Sequence, residues 1–239
     1  MLAAQRPCRV LLVRHAVAAG QGRFLGQHDA PLSTRGRRQL PALAAKLGNY
    51  EVDAVYCSDL RRARSTASAV ARSTGLTVEA RAGLREMHFG RWQGLSWAEI
   101  ARRFPRTSRA WLTHFPKHRP PGGEPFAAFK RRALRELEYI VSMNSGRCVV
   151  VVSHAGVTRI ALGRALGMAD RHLFRISRPS AGMGSVSTIR SCCSIISKVV
   201  QAASSSSAKR IGTSTPSANR AAMTSSPFIA SMNLRSVPT

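Results

Sequence analysis

Hydrophobic residues alternate along the chain between short continuous runs and longer segments in which they recur every three or four positions. Continuous apolar runs predict buried strands, and apolar residues at helical spacing predict amphipathic helices. The strand-like runs span 8–13, 52–57, 76–80 and 148–153. The helix-like segments span 33–47, 59–74, 125–141 and 155–166. Strands that alternate with helices predict an α/β fold, a mostly parallel sheet with helices on both of its faces.

The predicted helices have recognisable ends. Ser33 and Thr34 are residue types favoured at the start of the first helix, and we expect Ser58 or Asp59 to cap the second. A glycine after a helix accepts the backbone conformation in which helices often end. The glycines that follow predicted helices are Gly48, Gly75 and Gly167.

The C-terminal segment differs in composition from the rest of the chain. The last acidic residue is Asp170, and no Trp, Tyr, Asp or Glu occurs from Ala181 onward. Such a segment buries too little apolar surface to offset the entropy lost on ordering. We therefore expect one folded domain over 8–190, followed by a Ser-rich basic tail over 191–239 that is disordered or a non-native extension.

The charge balance is strongly basic, with 37 Lys and Arg against 11 Asp and Glu. A basic surface attracts anions, including phosphorylated metabolites, nucleic acids and acidic membranes. No apolar run reaches the roughly 18 to 20 residues needed to cross a bilayer, so we expect no membrane association. No export signal is evident and none of the five cysteines forms a C-x-x-C pair, which favours reduced thiols and a cytoplasmic protein.

Polar residues that could bind a ligand or take part in catalysis follow the predicted strands. Arg14 and His15 end the first strand, and Arg62 lies in the first turn of the helix after the second. Glu86 follows the third strand region, and His154 follows the strand that ends at residue 153. In open parallel sheets, ligands bind in the crevice beyond the carboxyl ends of the strands, so we expect these five residues to converge. Free N–H groups at helix starts would favour a phosphate there.

Each of these residues also has an ordinary structural explanation. Arg62 could belong to a solvated row with its neighbours Arg61 and Arg64. Glu86 could pair with a nearby arginine, and His154 could be a core histidine. Their joint placement favours a binding site for a phosphate over these separate explanations.

The sequence resembles the histidine phosphatase superfamily, also called phosphoglycerate mutase-like. The matching stretches occur in the family's order: LLVRHA (11–16), GQHDAPLSTRGRRQ (26–39), VYCSDLRRARSTA (55–67), LREMHFGRWQGLSWAEI (84–100), PPGGEPFAAFKRR (120–132) and VVVVSHAGVTR (149–159). The resemblance implies a three-layer α/β/α sandwich and chemistry through a phosphohistidine. It makes His15 the nucleophile and Glu86 the proton donor, with Arg14, Arg62 and His154 forming the phosphate pocket.

Elementary chemistry agrees with these implied roles. A phosphomonoester dianion repels nucleophiles, so cationic donors must neutralise its oxygens, and an alkoxide leaves readily only when an acid protonates it. The scheme requires no metal or other cofactor, and the histidines show no spacing typical of a zinc site. We expect His28 and His88 to be loop residues that could contact substrate.

The chain departs from the family's pattern next to the predicted nucleophile. Ala16 stands where the family usually has glycine, which adds a methyl group where backbone must approach phosphate. The polar residues that commonly follow are replaced by Val17, Ala18, Ala19 and Gly20. These changes remove a possible substrate contact and weaken an assignment as a phosphoglycerate mutase, although we expect activity to be retained.

We predict a phosphomonoester hydrolase of the histidine acid phosphatase type whose partner is a small phosphorylated metabolite. The compact interval from Glu86 to His154 favours a phosphatase over a mutase, since mutases of the family tend to have a longer insertion there. The stretches GLSWAEI and PPGGEPFAAFKRR resemble the branch that contains α-ribazole phosphatase, an enzyme of cobalamin biosynthesis, and broad-specificity phosphatases. The alternatives are a cofactor-dependent phosphoglycerate mutase and a catalytically silent phosphate-binding module. Specific binding of nucleic acid is disfavoured because no recognition motif is present and aromatic residues make up only 6%.

Overall fold

A computed structural model of the chain describes residues 7–176 and the backbone of residues 186–191. Its strands are β1 (Cys8–Arg14), β2 (Ala54–Cys57), β3 (Val78–Ala80), β4 (Cys148–Ser153) and β5 (Val186–Ser191). Its α-helices are α1 (Thr34–Leu47), α2 (Arg61–Thr74), α3 (Trp97–Arg103), α4 (Pro105–His114), α5 (Phe126–Ser142) and α6 (Ala155–Ala165). Short 3₁₀ segments lie at Ala82–Leu84, Gly90–Trp92 and Asp170–Arg175.

These five strands form one sheet in the order β3-β2-β4-β1-β5. The first four strands of this order are mutually parallel, and β5 pairs antiparallel with β1. In the register of β1 and β4, Arg14 lies beside Ser153, so both strands end at the same edge of the sheet. The predicted mostly parallel sheet is confirmed.

Alternate residues of the central strands face opposite layers of helices, as strand geometry requires. Leu11 and Val150 pack with residues of α1 and α2, including Leu47 and Val70. On the other face, a larger cluster packs against α5 and α6. Its buried members include Val10, Leu12, Val149, Val151, Phe129, Ile140 and Ile160. The sheet therefore lies between two helical layers, which confirms the three-layer α/β/α fold.

Helix α2 begins two residues later than predicted, and the prediction that Ser58 or Asp59 caps it is wrong. Ser58 accepts a bond from the backbone N–H of Leu60, and Asp59 forms an ion pair with Arg85. The first N–H of the helix, that of Arg61, donates instead to Asp29 Oδ1 at 2.7 Å. A carboxylate brought from another loop satisfies the helix end, so the local sequence gives no sign of it.

Two helices lie where no helix was predicted. The start of α3 is a capping box in which Ser96 and Glu99 satisfy each other's backbone N–H groups. Pro105 occupies the first turn of α4, where its missing N–H does no harm. Both helices contribute buried residues, Ile100 and Trp111, to the larger core cluster. Both helices are short and bury few apolar residues, so no helical periodicity is evident in their sequence.

The described residues set limits on two further predictions. Residues 192–239, most of the predicted tail, lie outside them, so the division into a domain over 8–190 and a tail stays a prediction. Within the part of the chain that the structure describes, no helix has the length and apolar character needed to span a membrane.

Candidate active site

The two histidines of the predicted site meet at the carboxyl edge of the sheet. His15 directly follows β1 and His154 directly follows β4, and these two strands are neighbours. Their ring centroids lie 5.1 Å apart in an edge-to-face arrangement. The backbone N–H of His15 donates to the carbonyl of Ser153 at 2.9 Å, which continues the strand pairing into the site. The parallel pairing of β1 with β4 therefore places both rings side by side.

The His15 ring is held as one tautomer. Its Nδ1 lies 2.7 Å from the carbonyl oxygen of Ala16, which can only accept, so Nδ1 holds the proton. Burial, assisted by the charges of Arg14 and Arg62, lowers the pKa of His15 to about 3. His15 is therefore neutral at neutral pH, with a lone pair on Nε2. That state is the one a nucleophilic imidazole needs.

Arg62 supplies a buried positive charge beside this nitrogen. Its Nε donates to His15 Nε2 at 3.3 Å, and its side chain is fixed by the carbonyls of His28 and Gly26 at 2.7 and 2.6 Å. Within the described residues, no carboxylate comes within ion-pair distance of Arg62. Burial lowers its pKa, yet a guanidinium remains protonated. A buried positive charge whose hydrogen-bond partners here are neutral acceptors is suited to an incoming anion.

His154 is fully buried, and both of its ring nitrogens lack a hydrogen-bond partner among the described residues. Burial, followed by the charges of His15 and Arg62, lowers its pKa well below the usual value. An unsatisfied buried polar group is costly, and such groups cluster at functional sites. His154 also occupies the position just before α6, and N–H groups at the start of a helix favour anions. These features fit an oxyanion that would accept a hydrogen bond from the ring.

Glu86 lies at the same helix start. Its Oε2 accepts from the backbone N–H of Gly156 at 3.1 Å, and its Oε1 accepts from the N–H of Met87 at 2.9 Å. A side chain at position 156 would collide with this carboxylate and with the Phe129 ring. The glycine two residues after His154 thus lets the Glu86 side chain lie close to the start of α6, beside the predicted phosphate pocket.

The structure brings together all five predicted site residues. Arg14, the last residue of β1, lies close enough for its charge to lower the pKa of both His15 and His154. The charge of Glu86 acts on the guanidinium of Arg62. One edge of the sheet therefore presents two neutral imidazoles, two guanidinium groups and one carboxyl group.

The two loop histidines have less direct roles in this geometry. His28 contributes its backbone carbonyl to Arg62, while its ring is exposed. The Nδ1 of His88 accepts from the N–H of Gly90 at 3.1 Å, which leaves the hydrogen on Nε2. Both lie in loops as predicted, and contact of either ring with substrate stays a prediction.

Sequence reasoning missed Thr66, which ties the nucleophile's loop to α2. Its hydroxyl donates to the carbonyl of Arg62 at 2.7 Å and accepts from the N–H of Ala16 at 3.1 Å. The Ala16 side chain is buried, so the extra methyl group is accommodated within the protein. The only sequence signal was a polar residue four positions after Arg62 on an otherwise apolar helix face.

Comparison with known proteins identifies the family. The sequence profile of the histidine phosphatase superfamily (branch 1) matches residues 10–198. The chain belongs to this superfamily. The predicted membership of the histidine phosphatase superfamily is confirmed by this match, and several of the relatives are named as phosphatases.

Relatives in this superfamily have different named activities. The chain is 37% identical over 173 residues to the Bifunctional protein Rv2228c of Mycobacterium tuberculosis, covering 71% of this chain and 47% of that protein. It is 30% identical over 174 residues to the adenosylcobalamin/alpha-ribazole phosphatase of Salmonella typhimurium, covering 71% and 86%. The native structure of mycobacterial glucosyl-3-phosphoglycerate phosphatase superposes with a TM-score of 0.67 at 30% identity, covering 75% and 88%. The match thus spans about half the length of the first of these relatives.

Proposed function

We propose that this chain hydrolyses phosphomonoesters through a phosphohistidine formed on His15 Nε2. The observation that supports this most directly is the neutral, buried His15 ring, whose Nε2 lone pair faces the guanidinium of Arg62. A phosphoryl group in this position would meet the nucleophile and a positive charge together. The roles of Arg14, Glu86 and His154 follow from their places around the same point.

In the first step, the lone pair of Nε2 attacks phosphorus and the bond to the ester oxygen breaks. Arg14, Arg62 and the His154 ring stabilise the charge on the phosphoryl oxygens, an effect worth about 3 to 4 kcal/mol per donor in comparable oxyanion sites. Protonated Glu86 gives its proton to the leaving alkoxide, contributing about 10²- to 10⁴-fold. The ring becomes cationic on phosphorylation, and the Ala16 carbonyl that accepts from Nδ1 stabilises that charge.

In the second step, the Glu86 carboxylate removes a proton from water while the water oxygen attacks phosphorus. The bond between Nε2 and phosphorus breaks, and inorganic phosphate leaves. His15 returns to its neutral form with the lone pair on Nε2, and Glu86 is protonated again. The cycle is balanced without a metal or an organic cofactor.

We infer that the substrate is a small phosphorylated metabolite, with α-ribazole 5'-phosphate as the leading candidate. Support comes from similarity to the Salmonella phosphatase named for this substrate and from the stretches GLSWAEI and PPGGEPFAAFKRR. The relatives differ in their named substrates, so the family alone does not select one.

A phosphate-release screen tests the proposal. The panel contains α-ribazole 5'-phosphate, phosphoserine, sugar phosphates, nucleotides and 3-phosphoglycerate, each assayed with the wild type and with His15→Ala. We expect hydrolysis by the wild type alone, with α-ribazole 5'-phosphate among the best substrates. After rapid quenching, the phosphoenzyme should survive base and decay in acid, as a phosphohistidine does.

Three results would contradict this assignment. A mutase reaction on 3-phosphoglycerate that is faster than the hydrolysis of every ester in the panel would indicate a mutase. Absence of turnover on the whole panel, with phosphate binding retained, would indicate a silent binding module. Turnover that survives in His15→Ala would exclude the phosphohistidine.

A further inference from the structure

Arg132, on α5, bonds to the segment that bears Glu86. Its Nη1 donates to the carbonyls of Gly83 and Arg85 at 2.9 and 3.0 Å, and its Nη2 lies 3.4 Å from the carbonyl of Glu86 itself. One guanidinium thus contacts three of four consecutive residues. The Glu86 carboxylate is not among the groups it bonds, so Arg132 acts on the backbone of this segment.

Glu124 completes the arrangement from the loop before α5. Its carboxylate accepts from Arg132 Nε at 3.2 Å and from Nη2 at 2.9 Å. The same carboxylate accepts from the N–H of His88 at 3.3 Å, and the N–H of Glu124 donates to the His88 carbonyl at 2.8 Å. Arg132 and Glu124 therefore hold the backbone on both sides of Glu86.

The segment needs such support because it has no regular structure after its short 3₁₀ turn at Ala82–Leu84. Carbonyls outside helices and sheets must find other donors when they are buried. Gln27 supplies one further bond, from its Nε2 to the Glu86 carbonyl at 3.1 Å. The Arg132 and Glu124 side chains are only 26% and 17% exposed, so water competes weakly for their bonds.

We propose that the Arg132–Glu124 pair positions Glu86 for its proton transfers, an inference that rests on the proposed function. A guanidinium presents a rigid planar fork with five donors, which a lysine cannot reproduce. Replacement of Arg132 by lysine would keep the positive charge but remove the planar fork of donors, and the Glu86 backbone would then be free to shift. A displacement of about 1 Å can cost on the order of 10²-fold in rate.

Leaving-group dependence separates this positioning role from a general structural one. An alkoxide needs protonation as it leaves, whereas nitrophenolate leaves without it, so loss of a general acid slows alkyl phosphates selectively. We expect Glu86→Gln to lower kcat/KM for an alkyl phosphate far more than for p-nitrophenyl phosphate. Arg132→Lys should show the same selectivity with a smaller effect, on the order of 10²-fold for the alkyl ester.

A second ion pair, which also has one member on α5, provides a matched control. Arg81 Nε donates to Glu136 Oε1 at 2.6 Å, and these side chains are 29% and 15% exposed, close to the values for Arg132 and Glu124. Arg81 lies just before the same segment, but none of its bonds reaches a carbonyl of residues 83–86. Arg81→Lys should therefore leave the ratio of the two kcat/KM values unchanged.

The measurement is kcat/KM for both esters in Glu86→Gln, Arg132→Lys, Glu124→Gln and Arg81→Lys, with thermal unfolding of each variant. Glu124→Gln keeps the shape of the pair and guards against poor folding of Arg132→Lys. If Glu86→Gln is selective and both pair variants slow the two esters equally, the positioning inference fails while the proposed function stands. If Glu86→Gln itself shows no selectivity, the proton-donor role in the proposed function fails and this inference falls with it.

Discussion

The Nε of Arg62 lies 3.3 Å from the Nε2 of His15, the nitrogen on which we propose that phosphate is transferred. The guanidinium donates to the lone pair that would attack. A bound phosphoryl group would offer its oxygens to Arg62 and its phosphorus to that lone pair. The same contact that holds the His15 ring thus marks where we propose that the substrate binds.

Replacement of Arg62 by lysine should lower kcat/KM for phosphomonoesters by about 10²- to 10³-fold, the loss typical of one oxyanion donor. Lysine keeps a positive charge but cannot bond His15 and the carbonyls of Gly26 and His28 at once. Steady-state kinetics measure the change. The exposed neighbour Arg64 is the control, and an equal loss in Arg64→Lys would show that surface charge, rather than the buried fork, matters.

The stability of the fold should fall as the pH drops from about 6.5 to 5. The pKa values of His15 and His154 are lowered in the folded state, so only the unfolded chain takes up these protons in this range. Each histidine then decreases the free energy of unfolding by up to about 1.4 kcal/mol per pH unit. Urea denaturation at several pH values measures this slope. His15→Asn should reduce this slope, and an equal slope in the wild type and in His15→Asn would contradict burial of a neutral His15.

Replacement of Thr66 by valine should destabilise the protein and slow catalysis. Valine matches threonine in shape, but it leaves the buried N–H of Ala16 without its acceptor, which costs about 1 to 3 kcal/mol. Thr66→Ser should retain most of the activity because it keeps the hydroxyl. Urea denaturation measures the change in stability, and steady-state kinetics measure the change in activity. Thr74→Val, at the C-terminal end of α2, is the control. Full activity in Thr66→Val would mean that the Ala16 peptide needs no anchor.

Gly156→Ala should reduce both stability and activity. The added methyl group meets the Glu86 carboxylate and the Phe129 ring, and overpacking of this kind typically costs about 1 to 3 kcal/mol. Gly163→Ala, on the same helix, meets only the side chain of Leu173, so it should reduce stability without changing kcat. Equal kcat losses in the two variants would show that the effect does not pass through Glu86.

Sequence patterns predicted much of the fold because apolar periodicity is a local property. The strands β1 and β4 and the helices α1 and α6 lie within a residue or two of their predicted bounds. The cap of α2 was mispredicted because Asp29, its true partner, lies 32 positions away. Helices α3 and α4 escaped prediction because they are short and bury few apolar residues, Ile100 in α3 and Trp111 in α4.

Local sequence was also sufficient to nominate Arg14, His15, Arg62, Glu86 and His154, since parallel strands bring their carboxyl ends to one edge and chemically active residues stand at those ends. Three features were decided only by the folded chain: the tautomer of His15, the anchoring of Ala16 by Thr66, and the hold of Arg132 and Glu124 on the Glu86 segment. Each depends on hydrogen-bond directions between groups that folding brings together. A pattern of residue types along the chain specifies which groups are available, but the packing of helices against the sheet specifies which donor meets which acceptor.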